Sequence, residues 1–595
     1  MLTIARLQSQ FFPEPGMNVD MANRSGAGRF WIGLGLCLAI CASFLWLHHS
    51  RTKGSLLNWK TRMAARGEKF SIDELAPLPV PDDPDADQLR AAADRLRRNT
   101  FEPGYFCSLN LSAPGSARGP WTENNLVGNY GRTVSWAELG QEMDAARDDL
   151  NELRVALKNP ASQSNLNYHK PGPYNFVANR YAAQWFACET IERLHAGDLA
   201  GAQAALRALA ALTRLHQNDL TLVNLMIRVA FGGLAFEVTW PALQLPGWTE
   251  PQLAELQSDW EKLEFLGKLP ATVEMERAGG LELFEDSRTN GLKRTRSLVT
   301  FATTSKPGIQ TFFEEHFLDP FWRVAWVEQD ELFYLESMQQ YLDGIRSARQ
   351  HKSWVRFSGE LGEASDRIDP QLNSFGAFRY TLSGMTIANF VRAYERVMRQ
   401  ETQRSLMIAA VALKRYQLRY RRFPPNLESL VPEFLATVPV DYMNGQPLCY
   451  RPEVDRLFVL YSVGLDGKDD GGDPQPAVAW KAYTTLWDGR DVVWPRLAPP
   501  ETNIATPAAG VLPLVQFEAA PMLDVIKVLA RQADFNVVFD PRVTATLPDG
   551  RPKYPPVSLR LENVTARAVL EAVLNNNNLV MVEHAGTNLV GITTK

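Results

Sequence analysis

The chain has 595 residues, of which 45% are apolar and 22% charged, and these values are typical of a folded protein with several domains. Its net charge of −5 argues against nucleic acid as the main partner, and the one dense basic run, Lys414–Arg422, spreads around a helix. The five cysteines include no CxxC pair, which argues against a zinc ribbon or a thioredoxin-type site. We expect Cys107, Cys188 and Cys449 to be buried structural thiols.

A short N-terminal arm, residues 1–29, precedes an uncharged apolar run from Phe30 to Leu47. As a helix this run would rise about 27 Å, close to the roughly 30 Å hydrocarbon core of a bilayer. Trp31 and Trp46 lie near its ends, where aromatic rings favour the membrane interface. A cleaved signal peptide is the alternative, but the apolar run continues through Phe44–Leu47, beyond the small residues that cleavage requires. We therefore predict a retained transmembrane helix at residues 30–47.

A juxtamembrane segment, residues 48–87, ends in a stretch rich in Pro and Asp that favours an extended linker. Residues 88–403 have helical spacing of apolar residues and are predicted to form a large, mostly α-helical domain. Between residue 88 and residue 421 the predicted helices are Trp136–Leu157, Phe176–Leu194, Leu199–Leu215, Phe321–Ser347 and Ala388–Arg421. A further helix is predicted to be capped by Asp219 and to end near Val238.

Motifs of common enzyme classes, such as a P-loop, GxSxG or HExxH, do not occur in the sequence. Glu314–His316 is only a short acidic cluster with one histidine, and Glu282, Glu285 and Asp286 are best explained as the solvated side of a helix. The histidines that stand alone in sequence, and for which we expect structural hydrogen bonds, are His169, His195, His216 and His351. We therefore predict no catalytic and no cofactor-binding residue. A hydrolase without a common motif in residues 88–403 is the less favoured alternative.

Residues 404–494 combine several short motifs. Arg404–Tyr450 contains a long helix, a Phe-Pro break, the sequence N-L-E-S-L and the element V-P-x-D that ends at Asp441, and Leu457–Asp473 reads LFVLYSVGLDGKDDGGD. These features resemble the C-terminal domain of the major, G-type pseudopilin of type II secretion. The resemblance implies a small α+β domain. Pilins start their apolar helix with Phe and place a Glu five residues in, which the distant run at 30–47 lacks, so we do not expect assembly into a pilus.

An acidic loop within this segment is a candidate metal site. Its carboxylates are Asp466, Asp469, Asp470 and Asp473, and its glycines are Gly467, Gly471 and Gly472. Glycine permits positive φ angles that let a loop wrap around one point, and carboxylate oxygens are the ligands that Ca²⁺ prefers. In the pseudopilin family the equivalent loop holds calcium, and Asp466 and Asp473 match it best. The alternative is a solvated acidic turn.

After a second linker, residues 495–510, the apolar pattern of residues 511–595 predicts the order β-α-β-β-α-β-β. The first helix is expected to bury five apolar residues: Met522, Val525, Ile526, Leu529 and Ala530. The second is expected to start at a Thr565 cap and to bury four: Val569, Leu570, Val573 and Leu574. An insert at Thr544–Pro556 is longer than a connecting loop requires.

The phrases VQFEAAPMLDVIKVLARQADFNVVFDP and VSLRLENVTARAVLEAVLNNNNLVMVEHAGTNLVGI resemble the short N-terminal domain of secretins and TonB-dependent receptors. The resemblance implies protein–protein contact in the periplasm, often with an inner-membrane partner, and brings no catalytic residue. Secretins carry this domain before their barrel, whereas here it ends the chain, so we do not expect a channel.

The predicted fold class is multidomain: one transmembrane helix, a large mostly α-helical domain, and two small α+β domains that are pseudopilin-like and secretin N-terminal-like. We predict a non-catalytic scaffold or adaptor of a type II secretion or type IV pilus-like system. It would cross the bacterial inner membrane once, with its C-terminal bulk in the periplasm and secretion or pilus components as partners. The basic residues that follow the apolar run oppose this orientation under the positive-inside rule. The sequence leaves the oligomeric state open.

Two other functions are considered. An envelope receptor for peptides or polysaccharides would use the helical domain, with Trp185, Trp240 and Trp248 as candidate wall residues, although core packing explains such residues as well. A signalling receptor is not expected, because the short N-terminal arm cannot house a signalling domain.

Overall fold

The computed structural model describes residues 24–81, 83–129, 132–170, 176–292, 317–360, 362, 377–387, 390–453, 457–476, 483–498, 511–533, 535–544, 554–583 and 588–594. These residues are mostly helical and include several small sheets, as the predicted fold class requires. They divide into two units: the first lies within 1–109, 123–473 and 490–494, and the second within 110–122, 474–489 and 495–595.

The helices of the first unit are α1 (Arg24–Ala65), α2 (Ile72–Leu75), α3 (Ala86–Arg98), α4 (Trp136–Ala145), α5 (Arg147–Ala156), α6 (Phe176–His195), α7 (Leu199–Arg214), α8 (Leu222–Gln244), α9 (Glu250–Glu261), α10 (Leu269–Asn290), α11 (Asp319–Ala325), α12 (Val327–His351), α13 (Thr381–Thr386) and α14 (Phe390–Tyr420). Those of the second unit are α15 (Met522–Gln532), α16 (Pro541–Thr544) and α17 (Ala566–Asn576). The strands are β1 (Leu111–Ala113), β2 (Ser116–Ala117), β3 (Asn125–Val127), β4 (Thr133–Ser135), β5 (Cys449–Pro452), β6 (Phe458–Ser462), β7 (Val492–Val493), β8 (Arg496–Leu497), β9 (Val511–Ala520), β10 (Asn536–Phe539), β11 (Val557–Thr565), β12 (Leu579–Glu583) and β13 (Leu589–Thr594).

Helix α1 has two different surfaces along its length. Its first half contains the apolar run predicted to span a membrane, and Trp31, Phe44 and Trp46 there are 66–69% exposed. Its second half packs on α12 and buries Leu56 and Trp59. The exposed apolar half therefore continues without a break into a helix of the packed domain.

Helix α8 is the described helix that is long and apolar enough to cross a membrane by length and composition, with a mean hydropathy of 1.5 in its most apolar window. It packs against α6, α7 and α14, and 56% of that window is buried. Phe236, Val238 and Trp240 on this helix are almost fully buried. Protein thus surrounds much of α8, whereas the apolar half of α1 is exposed.

The predicted helices of the first unit are found, with four local differences, one of which is that α8 continues to Gln244, beyond its predicted end near Val238. The helix predicted at 136–157 is divided between α4 and α5, and the one predicted at 321–347 is divided between α11 and α12. The predicted Asp219 cap is wrong, because Thr221 caps α8 by accepting the Asn224 N–H. Asp219 instead accepts the backbone N–H of Ser164 at 3.0 Å.

Helix α14 runs unbroken through residues 403 and 404, where the sequence predicts a domain boundary. It packs on α8 and α9, and residues beyond its end as far as 473 belong to the same unit. The antiparallel sheet β5-β6-β7 follows it. Residues 404–473 therefore share their first helix with the helical domain, because that helix packs on α8 and α9 and also contacts β6.

The linker predicted at 495–510 begins as a strand in the second unit. β8 pairs with β2, and β2 pairs with β1, so that the three form a small sheet. Residues 499–510 lie outside the described residues.

Residues 511–594 have the predicted order of strands and helices, with the short helix α16 added after β10. β9 pairs with the antiparallel strand β11, while β13 lies between β10, which is parallel to it, and β12, which is antiparallel. The helices α15 and α17 pack on each other, and their apolar sides join both sheets in one core. Residues 545–553 of the predicted insert lie outside the described residues.

Candidate docking surface and acidic loop

The core of residues 511–594 follows from the amphipathic pattern of its two helices. All nine residues predicted to be buried on α15 and α17 are at most 4% exposed. Burying one such apolar side chain stabilises a fold by roughly 1.5–3 kcal/mol relative to its exposed state. The side chain of Thr565 accepts the N–H of Ala568, which confirms the predicted cap of α17.

The outer face of the three-stranded sheet in this region carries one apolar row. Val537, Phe539 and Ile592 point into the core, so their neighbours along the strands point outward. The register places Val538 and Val582 on either side of Gly591 in one row across the sheet. The two valines are 54% and 48% exposed. We call this row, together with the exposed Leu589 two residues along β13, the docking face.

The glycine shapes this surface. Because neighbouring strands lie about 4.8 Å apart, the backbones that carry Val538 and Val582 are separated by roughly 10 Å. Gly591 between them has no side chain, so the row has a shallow depression flanked by two methyl-bearing walls. Such a depression can receive one apolar side chain from a partner.

Both flanking strands of this sheet are edge strands among the described residues, since β10 and β12 each pair only with β13. An edge strand presents backbone N–H and C=O groups that a partner strand can pair with. Val538 lies on one edge strand and Val582 on the other, so the apolar row continues to both edges.

A charged pair lies at one end of the docking face. Arg542 Nη2 donates to Asp540 Oδ2 at 2.7 Å, and Thr593 Oγ1 donates to the same oxygen at 2.9 Å. The Arg542 guanidinium and these hydrogen bonds hold the pKa of Asp540 well below its usual range. This end therefore keeps a fixed ion pair at any pH near neutrality.

The acidic loop has the backbone that its glycines predict. Gly467, Gly471 and Gly472 have φ angles of 69°, 75° and 80°. The loop closes around the side chain of Asp491, which accepts N–H groups from Gly472 at 2.7 Å and from Asp473 at 3.0 Å. Burial raises the pKa of Asp491, and these donors act in the opposite direction.

Three of the four predicted calcium ligands are engaged with separate partners within the protein. Asp466 accepts the N–H of Lys468, and Asp469 accepts both the Tyr461 hydroxyl and the Gly471 N–H. Asp473 pairs with Arg490, while the side chain of Asp470 is exposed. Within the part of the chain that the structure describes, His, Cys, Asp and Glu form no group of three or more that could hold a metal ion. Calcium binding stays a prediction.

Sequence reasoning missed Asp491, the residue on which the loop converges. It lies 18 residues beyond Asp473, so no local spacing connects the two. The available signal is a lone Asp placed directly before the apolar pair of β7 in GRDVVW. Such a carboxylate needs donors from elsewhere if it is buried.

The tryptophans considered as walls of a binding groove are core residues. Trp185 and Trp240 have no exposed surface, and Trp248 is 3% exposed with its indole N–H donating to the Ala242 carbonyl oxygen at 2.7 Å. The receptor hypothesis with these residues as its wall is therefore wrong, because the helices around them exclude solvent. A separate apolar cavity of about 370 Å³ lies between α6 and α8.

The buried Cys107 lines this cavity, and the half-buried Glu237 lies near Cys107. The sulfur of Cys107 lies 3.0 Å from the carbonyl oxygen of Pro103 and 3.3 Å from that of Gln184, and either oxygen can accept the single thiol proton. Burial raises the pKa of the Cys107 thiol, and it also raises the pKa of Glu237 to about 7. Cys107 and Cys188 are buried as predicted, and Cys449 is half-buried.

Contacts with neighbouring groups account for three of the histidines. His169 lies between Asp73 and Glu282 and is exposed, His195 stacks on Trp136, and His351 bonds to a backbone carbonyl in its own helix. Glu314–His316 lies outside the described residues.

Comparison of the chain with protein-family models, with curated proteins and with solved structures finds no match.

Proposed function

We propose that the chain is a non-catalytic scaffold or adaptor of a type II secretion or type IV pilus-like system. It is anchored in the bacterial inner membrane by residues 30–47, with its C-terminal bulk in the periplasm. The docking face binds another component of that system.

The observation that carries the proposal is the apolar row of Val538, Gly591 and Val582 on the outside of a sheet whose inner face packs on the core. The two exposed valines across one row form a small apolar surface that an apolar side chain of a partner can cover. A central apolar anchor and two pairable edges are what a protein partner uses for specific contact.

The membrane anchor is supported by the exposed apolar half of α1. An aqueous surface of this size made of Trp, Phe, Leu and Ile is unfavourable, and the rise of an 18-residue helix matches the hydrocarbon thickness. Some of the positive charge behind the anchor is balanced within the fold. Lys60 forms an ion pair with Glu331, and Arg62 lies near Glu336.

The test is crosslinking of the full chain in intact envelopes of its own cell type, followed by purification and identification of the attached proteins. The double variant Val538→Arg/Val582→Arg places two charges in the apolar row. We expect it to reduce recovery of secretin or pilus components by about tenfold or more, as loss of a central anchor does.

Val528→Arg is the matched control, since Val528 is an exposed valine on α15 of the same unit. It should recover the same components as the wild type. Recovery of no secretion or pilus component by the wild type, or equal recovery by the double variant, contradicts the proposal.

A second candidate function, an envelope receptor for a small apolar ligand, is supported by the cavity between α6 and α8. Phe176, Phe231 and Leu234 line it together with Arg180 and Gln184, so an apolar body with one polar end fits its chemistry. Native mass spectrometry of the purified chain would detect a retained ligand. Phe231→Ala should release that ligand without affecting the crosslinks made by the docking face.

A further inference from the structure

Contacts between α1 and α12 show which part of the helical domain lies next to the end of the apolar run of α1. Leu47 ends the run, and the next two residues reach the first turn of α12. His48 Nε2 lies 3.1 Å from Gln329 Oε1, and His49 Nδ1 lies 3.0 Å from Glu328 Oε2. With a rise of 1.5 Å per residue, these contacts lie about 3 Å beyond the end of the run.

The segment before α13 also lies next to the end of this apolar run. The side-chain amide of Gln329 donates to the Tyr380 hydroxyl at 3.1 Å while its oxygen contacts His48. The start of α12 and the turn at Ala377–Tyr380 are thus joined to the point where α1 leaves its apolar run.

Helix α11 comes directly before α12 and contacts α1. One side of it is fixed in the core: Trp322 has no exposed surface, and its indole N–H donates to Asp330 Oδ2 at 2.8 Å. The opposite side is apolar and exposed, with Phe321 at 41% and Val324 at 66%. Phe317, one turn earlier, is also exposed, and the spacing i, i+4, i+7 places all three on one side of the chain.

Aromatic and basic side chains flank this apolar side. The ring of the half-buried Trp326 lies 4.5 Å from that of Phe321 and 4.9 Å from that of Phe378. The guanidinium of the exposed Arg379 lies 5.9 Å from the Trp326 ring. Tryptophan and arginine beside apolar residues are the side chains that favour the boundary between headgroups and acyl chains.

We propose that α11 and the turn at 377–380 rest on the lipid surface beside α1, with Phe321 and Val324 inserted among the acyl chains and Arg379 among the headgroups. This inference rests on the anchor proposed above. The occupant is lipid because α11 contacts α1 directly, and the contact of His48 with Gln329 places the adjoining start of α12 at the point where α1 leaves its apolar run. The second contact would fix the tilt of the helical domain on the membrane.

The test uses the full chain in lipid nanodiscs with the photoreactive residue p-benzoylphenylalanine in place of Val324. The control carries it in place of Val155, a similarly exposed valine on α5, which makes no principal contact with α1. After irradiation, lipid adducts are counted by mass spectrometry. We expect the adduct yield at 324 to exceed that at 155 several-fold. Matching thermal unfolding midpoints would show that both variants fold.

Equal lipid labelling at the two positions, or crosslinks from 324 to a second copy of the chain, would overturn this inference and leave the anchor standing. The anchor is tested separately by alkaline carbonate extraction of membranes. Release of the wild-type chain by carbonate would contradict the proposed anchor itself.

Discussion

The Ser462 hydroxyl donates a hydrogen bond to Asp441 Oδ1 at 2.8 Å, and the other oxygen of that carboxylate accepts the Val463 N–H at 2.9 Å. Asp441 ends the V-P-x-D element and Ser462 belongs to Y-S-V-G, the two sequences on which the pseudopilin resemblance depends. Asp441 is 1% exposed, and burial raises its pKa. One buried carboxylate therefore joins the two halves of the motif.

Asp441→Ala should destabilise the first unit. It removes the acceptor of the Val463 and Met443 N–H groups, and two buried donors without partners cost on the order of 3 kcal/mol. Asp441→Asn keeps one oxygen acceptor and should cost less. The measurement is thermal unfolding of the full chain in detergent. Glu428→Ala, at an exposed position of the same segment, is the control, and equal midpoints for Asp441→Ala and this control would contradict the expectation.

The sequence was most informative where packing is local. Burial on α15 and α17 follows from a three- and four-residue spacing that is visible within eleven residues of chain, as does the Thr565 cap. The strand order of the same region follows from alternating residues and turns. The docking face did not follow, because the alignment of Val538 with Val582 depends on a third strand, β13, that pairs with both.

Long-range relationships explain the features that the sequence does not indicate. Asp491 reaches its donors across the whole acidic loop, and α14 continues past residue 404 because α8 and α9 bury its side. The Asp219 cap was mispredicted since Thr221, two residues later, offers the same chemistry at the actual start of α8. Local patterns do not determine which of two competing caps a helix uses.

Calcium binding to the acidic loop can be tested by isothermal titration of the full chain in detergent. We expect millimolar Ca²⁺ to bind with measurable heat and to raise the unfolding midpoint, because added cation neutralises the clustered carboxylates. The double variant Asp466→Asn/Asp473→Asn should abolish both effects.

Asp524→Asn, at an exposed position of α15, is the control for the loss of carboxylate charge and should titrate as the wild type does. A wild-type chain that gives no heat and no rise in midpoint would end the calcium prediction and leave the solvated acidic turn. The N–H groups that converge on Asp491 would then account for the loop conformation by themselves.

Glu237 predicts a pH dependence of stability. Its pKa is raised from 4.5 to about 7 by burial, so the folded chain keeps this proton to higher pH than the unfolded chain does. Stability therefore falls as pH rises from about 4.5 to about 7, by at most about 3 kcal/mol. Glu237→Gln removes this decline and should be more stable than the wild type at mildly alkaline pH.

Two other titratable groups bear on that measurement. Asp330 is also buried with its pKa raised to about 6, so some decline remains in Glu237→Gln, and the Cys107 thiol near Glu237 stays neutral through this range. Glu285→Gln, with an exposed side chain, should follow the wild-type profile of unfolding midpoint against pH. A profile of Glu237→Gln that parallels the wild type would show that the carboxyl is already ionised in the folded chain.

Membrane orientation is the prediction on which the envelope function most depends. Arg51, Lys53 and other basic residues follow the apolar run and favour its C-terminal side in the cytoplasm, but a large following domain translocates largely regardless of such charges. We expect alkaline phosphatase fused after Lys595 to be active, since this enzyme needs the oxidising periplasm for its disulfides. Arg51→Gln/Lys53→Gln removes opposing charge and should leave that activity equal or higher. The contrary outcome is an inactive phosphatase fusion together with fluorescence from a reporter that is fused at the same position and fluoresces only in the cytosol. That outcome would place the docking face in the cytosol, where no periplasmic partner can reach it.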